Sequence, residues 1–512
     1  MLITDWIGRA RARHPDAPAI IDGERRFTYE ACAREIARLA WALEGRVPAG
    51  ARVGLLMGNC AELLFAQYAV VSLGAIAVPI NVALHPQAVA HILRDAGVSV
   101  VIAREPALHR HLEALEAAPE LRLVVQEGIA PALAKETKLW SDLGEPASQD
   151  LPSGAAEPST ALLLYTTGTT GRQKGVTLSH ANLMAATRNI NQVMRIGDGE
   201  REVVSLPLTH SFGLGRTRCL FETRGTVIIE SGLDRPDKVL SSCLRHQATG
   251  MASVPAGFAI FLSRYAELLA QCASCLRYVE IGSAPMSLAH KQALMALLPR
   301  TRLYMHYGLT EASRSAFVEF HAESGKLESA GRPPATVRLK IVDQQGCEVP
   351  PGTVGTVCVA GDTVMQGYWN QPAETARALA DGWLMTGDLG ALDEEGYLWL
   401  WGRTQDLINV GGYKVLAREV EEVLAGHPLV EESAVLGAPD PLGIAGEVVK
   451  ACVVRKDERL SAEDVKRHCL KHLEPWKVPA IVSFVSRLPK TGSGKLQKRL
   501  LADAPEAMAR AV

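Results

Sequence analysis

Leu162-Leu-Leu-Tyr-Thr-Thr-Gly-Thr-Thr-Gly-Arg-Gln-Lys-Gly-Val176 is an apolar run that breaks into a loop of glycine and threonine, with a lysine on its far side. The run with its β-branched tail predicts a buried strand. The glycines let the next residues curl and turn backbone N–H groups toward an anion. The hydroxyls of Thr166, Thr167, Thr169 and Thr170 add donors for phosphate oxygens. Lys174 adds a mobile positive charge suited to a polyphosphate. An ordinary glycine-rich turn is the bland alternative, and the hydroxyl density together with the lysine speaks against it. The loop is not a Walker A motif, in which Gly-Lys is followed by Ser or Thr. Here Lys174 precedes Gly175 and Val176 follows. Gly494-Lys495 fails as well, because Leu496 comes next and Pro489 stands where the first glycine is needed.

A strand feeding a phosphate loop predicts an α/β fold, and the rest of the chain agrees. Strand and helix patterns alternate from the start: Ala17–Ile21 as strand, Thr28–Leu43 as a capped helix, Arg52–Met57 as strand, Pro86–Ala96 as helix, Val98–Ile102 as strand. Such alternation predicts parallel sheets covered by helices. Residues 147–158 form a polar connector, and the alternation resumes from 160 to about 330. From Val337 through Trp401, short strands with Gly and Pro turns predict a β-rich subdomain, and after Asp406 comes a compact α+β stretch.

The 512 residues exceed one core, so at least two domains are expected. A content of 47% hydrophobic and 21% charged residues is that of a soluble globular protein. A net charge of −2 supplies no basic field for nucleic acid. The ten cysteines are too scattered for a disulfide framework. Charges at Asp5, Arg9, Arg11 and Arg13 argue against a signal peptide, so the expected compartment is the cytoplasm. Leu63–Asn81 carries no charge and imitates a membrane span, but Gln67, Gly74 and Pro79 divide it into a helix and a strand. Cys272 and Cys275 form a C-x-x-C without a second ligand pair, which reads as structural.

Three further clusters carry chemistry. In His306-Tyr-Gly-Leu-Thr-Glu311, Gly308 beside Tyr307 gives a flat surface for a purine, Thr310 suits a phosphate oxygen, and Glu311 suits Mg²⁺. In Trp383-Leu-Met-Thr-Gly-Asp388, an aspartate at a strand end can accept ribose hydroxyls. Arg403, one strand later, can clamp the ribose or a phosphate. In Pro489-Lys-Thr-Gly-Ser-Gly-Lys495, glycines flank Ser493 and make a loop able to deliver one lysine. Taken singly, these are also the marks of a turn, a surface ion pair and a solvated basic tail, with Lys490, Lys498 and Arg499 in solvent.

As an ordered set, with Leu206-Pro-Leu-Thr-His-Ser-Phe-Gly213, Gly282-Ser-Ala-Pro285 and Gly402–Gly412 added, the motifs resemble the adenylate-forming superfamily. That superfamily contains acyl- and aryl-CoA synthetases, peptide-synthetase adenylation domains and luciferase. The resemblance spans nearly the whole chain. It implies a large N-terminal domain over 1–403 and a small mobile C-terminal domain over 404–512, hinged near Gln405. It implies that a carboxylate attacks the α-phosphate of Mg·ATP to give acyl-AMP and pyrophosphate, and that a nucleophile then takes the acyl group. By the same resemblance, Thr166, Thr167, Gly168, Thr169, Thr170 and Lys174 hold the β- and γ-phosphates. Gly282, Ser283 and Ala284 line the adenine and acyl pocket, Tyr307 stacks on adenine between His306 and Gly308, and Thr310 meets the α-phosphate. Glu311 binds the metal, Asp388 and Arg403 hold the ribose, and Lys495 bridges carboxylate and α-phosphate. His210, with Phe212 and Val254–Phe258, borders the acid. After rotation Gly411 and Gly412 leave room for a narrow acceptor channel.

The chain departs from the family pattern at Gln173, where proline is usual, and at Ala312-Ser-Arg314-Ser, where many aryl-CoA ligases have Ala-Gly-Pro. Arg314 either reads a polar or anionic group on the acid or pairs with a neighbouring carboxylate as a surface cation, and pairing is favoured. For the acceptor, CoA is expected, because Trp476–Lys495 looks most like the acyl-CoA synthetase branch. An amine, as in coronafacate-ligase-like amide-forming relatives, or a separate carrier protein are the alternatives. Intact Glu311, Asp388, Arg403 and Lys495 argue against a non-catalytic nucleotide binder.

Overall fold

The computed structural model describes residues 2–128, 135–148, 150–152, 154, 156, 159–167, 173–232, 235–403, 407–410, 413–441, 447–490 and 496–501. The chain divides into two compact units, residues 1–339 with 359–384, and residues 340–358 with 385–512.

The first unit holds two eight-stranded sheets. In one, the strands Arg302–Tyr307, Tyr278–Ile281, Gly250–Ser253, Arg201–Val204, Thr226–Ile229 and Pro18–Asp22 run parallel in that order. Antiparallel strands Ala316–Glu319 and Arg25–Thr28 close its edges. In the other, Thr160–Thr167, Ile76–Pro79, Arg52–Leu56, Val98–Arg104, Leu123–Glu127 and Glu136–Leu139 run parallel. Gln173–Ser179 turns back antiparallel along Thr160–Thr167, and Gly367–Tyr368 pairs outside it.

These elements follow local sequence. Thr28 caps the Tyr29–Leu43 helix by accepting from Ala31 N–H, and Ser179 closes a capping box with Asn182 ahead of the His180–Met194 helix. The uncharged run from Leu63 to Asn81 resolves into the helix Ala61–Ser72, buried at every residue, and the strand Ile76–Pro79. It enters a core that joins Ile20, Val204 and Val227 of one sheet to Val53, Ala77 and Leu162 of the other. Among the described residues, no helix is long and apolar enough to cross a membrane.

The second unit contains the strand pair Leu407–Val410 and Tyr413–Leu416 and the sheet of Val430–Pro439, Glu447–Arg455 and Ile481–Phe484. The Ala417–Ala425 and Ala462–Leu470 helices supply Val420, Leu424 and Val465 to its core. The β-rich stretch is a five-stranded sheet of Val337–Val342, Gly355–Gly361, Trp383–Leu392, Leu379–Ala380 and Leu398–Arg403. The chain passes from one unit to the other within three of these strands. In the basic tail Lys490 is exposed, as expected, and forms a surface pair with Glu432, whereas Lys498 is half-buried and lies 2.9 Å from Glu421.

All ten cysteines are free. Cys272 and Cys275 do not bridge each other. Cys275 Sγ instead lies 3.8 Å from Cys243 Sγ, and Cys272 packs in the core of the same sheet.

Candidate active site

In an open parallel sheet, ligands collect at the carboxyl ends of the strands. The motifs on the first sheet stand there on neighbouring strands. Arg201–Val204 leads into Leu206–Gly213, and Gly250–Ser253 into Val254–Phe258. Tyr278–Ile281 leads into Gly282–Pro285, and Arg302–Tyr307 into Gly308–Glu311. Ser205 and Ser253, at two of these ends, have buried hydroxyls without a hydrogen-bond partner among the described residues.

The tight places explain the glycines. A Cβ on Gly282 would stand 2.0 Å from His306 Cε1, so only glycine lets the strand end lie against that ring. A Cβ on Gly308 would meet the Arg314 backbone nitrogen at 2.5 Å. Ser283 is held at φ 75°, a left-handed conformation that costs a non-glycine residue. His306 is buried and packs edge-on to Phe212, with centroids 4.8 Å apart. Tyr307 and Thr310 follow it, both half-buried. His210 is exposed and caps the Ser211–Glu222 helix, its carbonyl accepting from Leu214 N–H at 3.0 Å.

On the other sheet, the hairpin register sets Thr166 opposite Lys174 and Thr167 opposite Gln173. Tyr165 anchors the strand by donating to Asp95 at 2.6 Å. Lys174 Nζ lies 2.5 Å from Glu374 Oε2 and 5.4 Å from the Tyr368 ring centroid. Tyr368 in turn donates to Glu311 Oε1 at 2.9 Å, and the Glu311 carbonyl accepts from Met365 N–H at 2.8 Å. Lys174 and Glu311, from motifs on different sheets, are thus joined through Tyr368. The Lys174 ammonium holds the Glu374 carboxyl below its usual range. Gly168, Thr169, Thr170, Gln405, Gly411, Gly412 and Lys495 lie outside the described residues, as do the side chains of Thr167 and Arg403. In the second unit, Asp388 is buried and faces Arg403 across the strand pair in backbone register.

Behind the strand ends lies a buried ionic network that the motifs did not reveal. Arg216 grips Glu202 with two hydrogen bonds, of 2.7 and 2.6 Å, and reaches Glu280 Oε2 at 2.9 Å. Tyr278 donates to Glu202 at 2.8 Å. Glu280 Oε1 lies 2.8 Å from His306 Nδ1 and 3.1 Å from Arg314 Nε. Burial opposes a charge on Glu280, but Arg314, Arg216 and His306 together hold its carboxyl well below the usual range. Burial also pushes His306 below its ordinary value, against the pull of Glu280. Arg314 therefore pairs with a carboxylate, but as a buried group at φ 54° and not as a surface cation. Its other donors go to the carbonyls of Ser211 and Phe212 and to Ser313 Oγ. The one signal for this network was a single acid within the apolar strand Tyr278-Val-Glu-Ile281.

The chain matches the AMP-binding enzyme family over residues 8–369 and the AMP-binding enzyme C-terminal domain over residues 419–495. The chain belongs to the AMP-binding enzyme family. It is 35% identical over 503 residues to a feruloyl-CoA synthase of Amycolatopsis sp., covering 96% of this chain and 97% of that one. ATP-bound MatB from Rhodopseudomonas palustris superposes with a TM-score of 0.87 at 27% identity, covering 98% and 99% of the two chains. The amide bond synthetase McbA from Marinactinospora thermotolerans superposes with a TM-score of 0.86 at 28% identity, with the same coverage. This member is an AMP-forming ligase, and its relatives include both CoA ligases and an amide bond synthetase.

Proposed function

We propose that the protein condenses a carboxylic acid with ATP to give an acyl-AMP and then passes the acyl group to CoA. In the first step a carboxylate oxygen bonds to the α-phosphorus and the bond to pyrophosphate breaks. In the second a thiol sulfur bonds to the acyl carbon, its proton leaves to solvent, and AMP departs. The observation that carries this reading is the Lys174–Tyr368–Glu311 constellation, which gathers a polyphosphate cation and a carboxylate beside the strand ends.

In this reading Lys174 exchanges Glu374 for the β- and γ-phosphates. Thr166, Thr167, Gly168, Thr169 and Thr170 surround the same group. Gly282, Ser283, Ala284, His306, Tyr307 and Gly308 receive the adenine, Thr310 the α-phosphate, and Asp388 with Arg403 the ribose. Glu311 fits a hard cation, because Tyr368 engages only one of its carboxylate oxygens and the other has no partner among the described residues. Mg²⁺ held there would neutralise phosphate charge. His210, at the start of the Ser211–Glu222 helix, borders the acid. Lys495 meets the carboxylate and the α-phosphate, and Gly411 and Gly412 leave space for the acceptor.

The test is a panel of carboxylic acids with Mg·ATP, read by pyrophosphate release and then by mass spectrometry with CoA or free amino acids. AMP and a thioester are the expected products. An amide with an amino acid would transfer the chain to the McbA-like reading, and a panel without any pyrophosphate would reject adenylation.

A further inference from the structure

The Ser211–Glu222 helix and the segment facing it bury three arginines, Arg216, Arg218 and Arg314, each no more than 2% exposed. Two are fully occupied. Arg216 spends Nε, Nη1 and Nη2 on Glu202 and Glu280, and Arg314 spends all three nitrogens on Glu280, Ser313 and two carbonyls. Two carboxylates therefore balance two guanidinium groups. Arg218 is left over. Its Nε and Nη1 are buried without a hydrogen bond, and no ion pair reaches it among the described residues. Tyr68, from the buried Ala61–Ser72 helix, interacts with it electrostatically, and the Tyr68 hydroxyl is also buried without a partner. Burial lowers the Arg218 pKa to about 10, so the group is still charged at neutral pH.

An uncompensated charge in a protein interior is among the costliest arrangements a fold can hold. A guanidinium presents planar paired donors that match a carboxylate. Arg218 stands on the same helix that His210 caps. It sits one turn beyond Gly215, whose Cβ position the Arg314 guanidinium fills at 2.6 Å. From Ser211, at the His210 end, the rise along the helix to Arg218 is about 10 Å.

We propose that Arg218, assisted by the Tyr68 hydroxyl, receives a second, distal carboxylate on the acid, so that the preferred substrate is a dicarboxylate. The inference rests on the adenylation reading and names its substrate class. Charge balance in the buried region is completed by the substrate and not by the chain.

The experiment uses the full chain with Mg·ATP and dicarboxylic acids of graded length, linear and aromatic, each paired with its mono-methyl ester. Pyrophosphate release gives kcat/KM, and a thermal melt of every variant reports folding. The wild type should favour at least one diacid over its half ester by about 30-fold or more, the usual worth of a buried charge pair. Arg218→Met should bring that ratio near one, mainly through KM for the diacid, with half-ester turnover kept. Arg218→Lys should retain part of the preference. If Arg218→Met does not fold, the wild-type ratio and its reduction in Tyr68→Phe decide the matter. Equal or better use of half esters by the wild type overturns the inference, and so does a ratio unmoved by the substitutions. Selective loss of neutral hydroxylated acids in Arg218→Met overturns it too. Absence of pyrophosphate with every acid rejects adenylation itself and takes this inference with it.

Discussion

Glu280 shows how much can hang on one carboxylate. It is fully buried, yet it serves Arg216, Arg314 and His306 together. Replacing such a group leaves buried cations unpaired, which costs about 3–5 kcal/mol. Glu280→Gln should therefore lower the melting temperature clearly, and denaturant titration should give a loss of that size near neutral pH. The pH dependence follows from the direction of the shift. The folded pKa lies below the unfolded one, so the stabilisation is complete above the ordinary carboxylate range near about 4.3 and fades as pH falls through the folded value. The gap between wild type and Glu280→Gln should narrow only on the acid side. His306, lowered by burial, stabilises above about 6.5 and loses that contribution as the pH drops below it. A gap that stays constant down to strongly acid pH would remove the ionic role of Glu280.

At the scale of elements, the sequence was legible wherever local chemistry decides the outcome. The Thr28 cap, the Pro86 start and the apolar runs placed the Tyr29–Leu43 and Pro86–Ala96 helices and the strands beside them. The glycine motifs marked strand ends, because only glycine permits the close approach that Gly282 makes to His306. What stayed hidden depends on side chains meeting across long separations. Tyr368 and Glu374 reach Lys174 from about 200 residues away, and nothing in their own neighbourhoods marks them. Arg314 read as a surface cation because periodicity cannot show that a turn residue points inward. The element-scale prediction concerns Gly282→Ala. The added methyl would strike a ring already held between Phe212 and Glu280. Overpacking of this kind costs about 1–3 kcal/mol, so kcat/KM for ATP should drop about 10-fold or more. Adding His306→Ala should recover part of that loss. A double variant no better than Gly282→Ala would show that the ring is not the obstacle.

At the scale of the whole molecule, length pointed to more than one domain and alternation to an α/β fold, while the motifs in their order along the chain carried the enzymatic reading. The division into compact units follows packing and runs through the β-rich stretch, whereas the cut expected at 403/404 leaves its five strands on one side. The chemistry asks for the same cooperation between distant segments. Adenylation brings two anions together, and a cation at their meeting point stabilises the charge that develops. In the proposed reading Lys174 serves the leaving pyrophosphate, which leaves the attacking carboxylate in need of a second cation. The family resemblance assigns that task to Lys495, in the glycine-flanked segment after Pro489. If so, Lys495→Ala should slow pyrophosphate release by about 10²–10³-fold, as for loss of one key electrostatic donor. Acyl transfer from supplied acyl-AMP should continue at close to the wild-type rate, because the carboxylate and α-phosphate are already joined in that substrate. Separate half-reaction assays decide between this and a general structural role. Equal losses in both would mean that Lys495 supports the site as a whole, and the bond-forming cation would then have to be sought elsewhere in the chain.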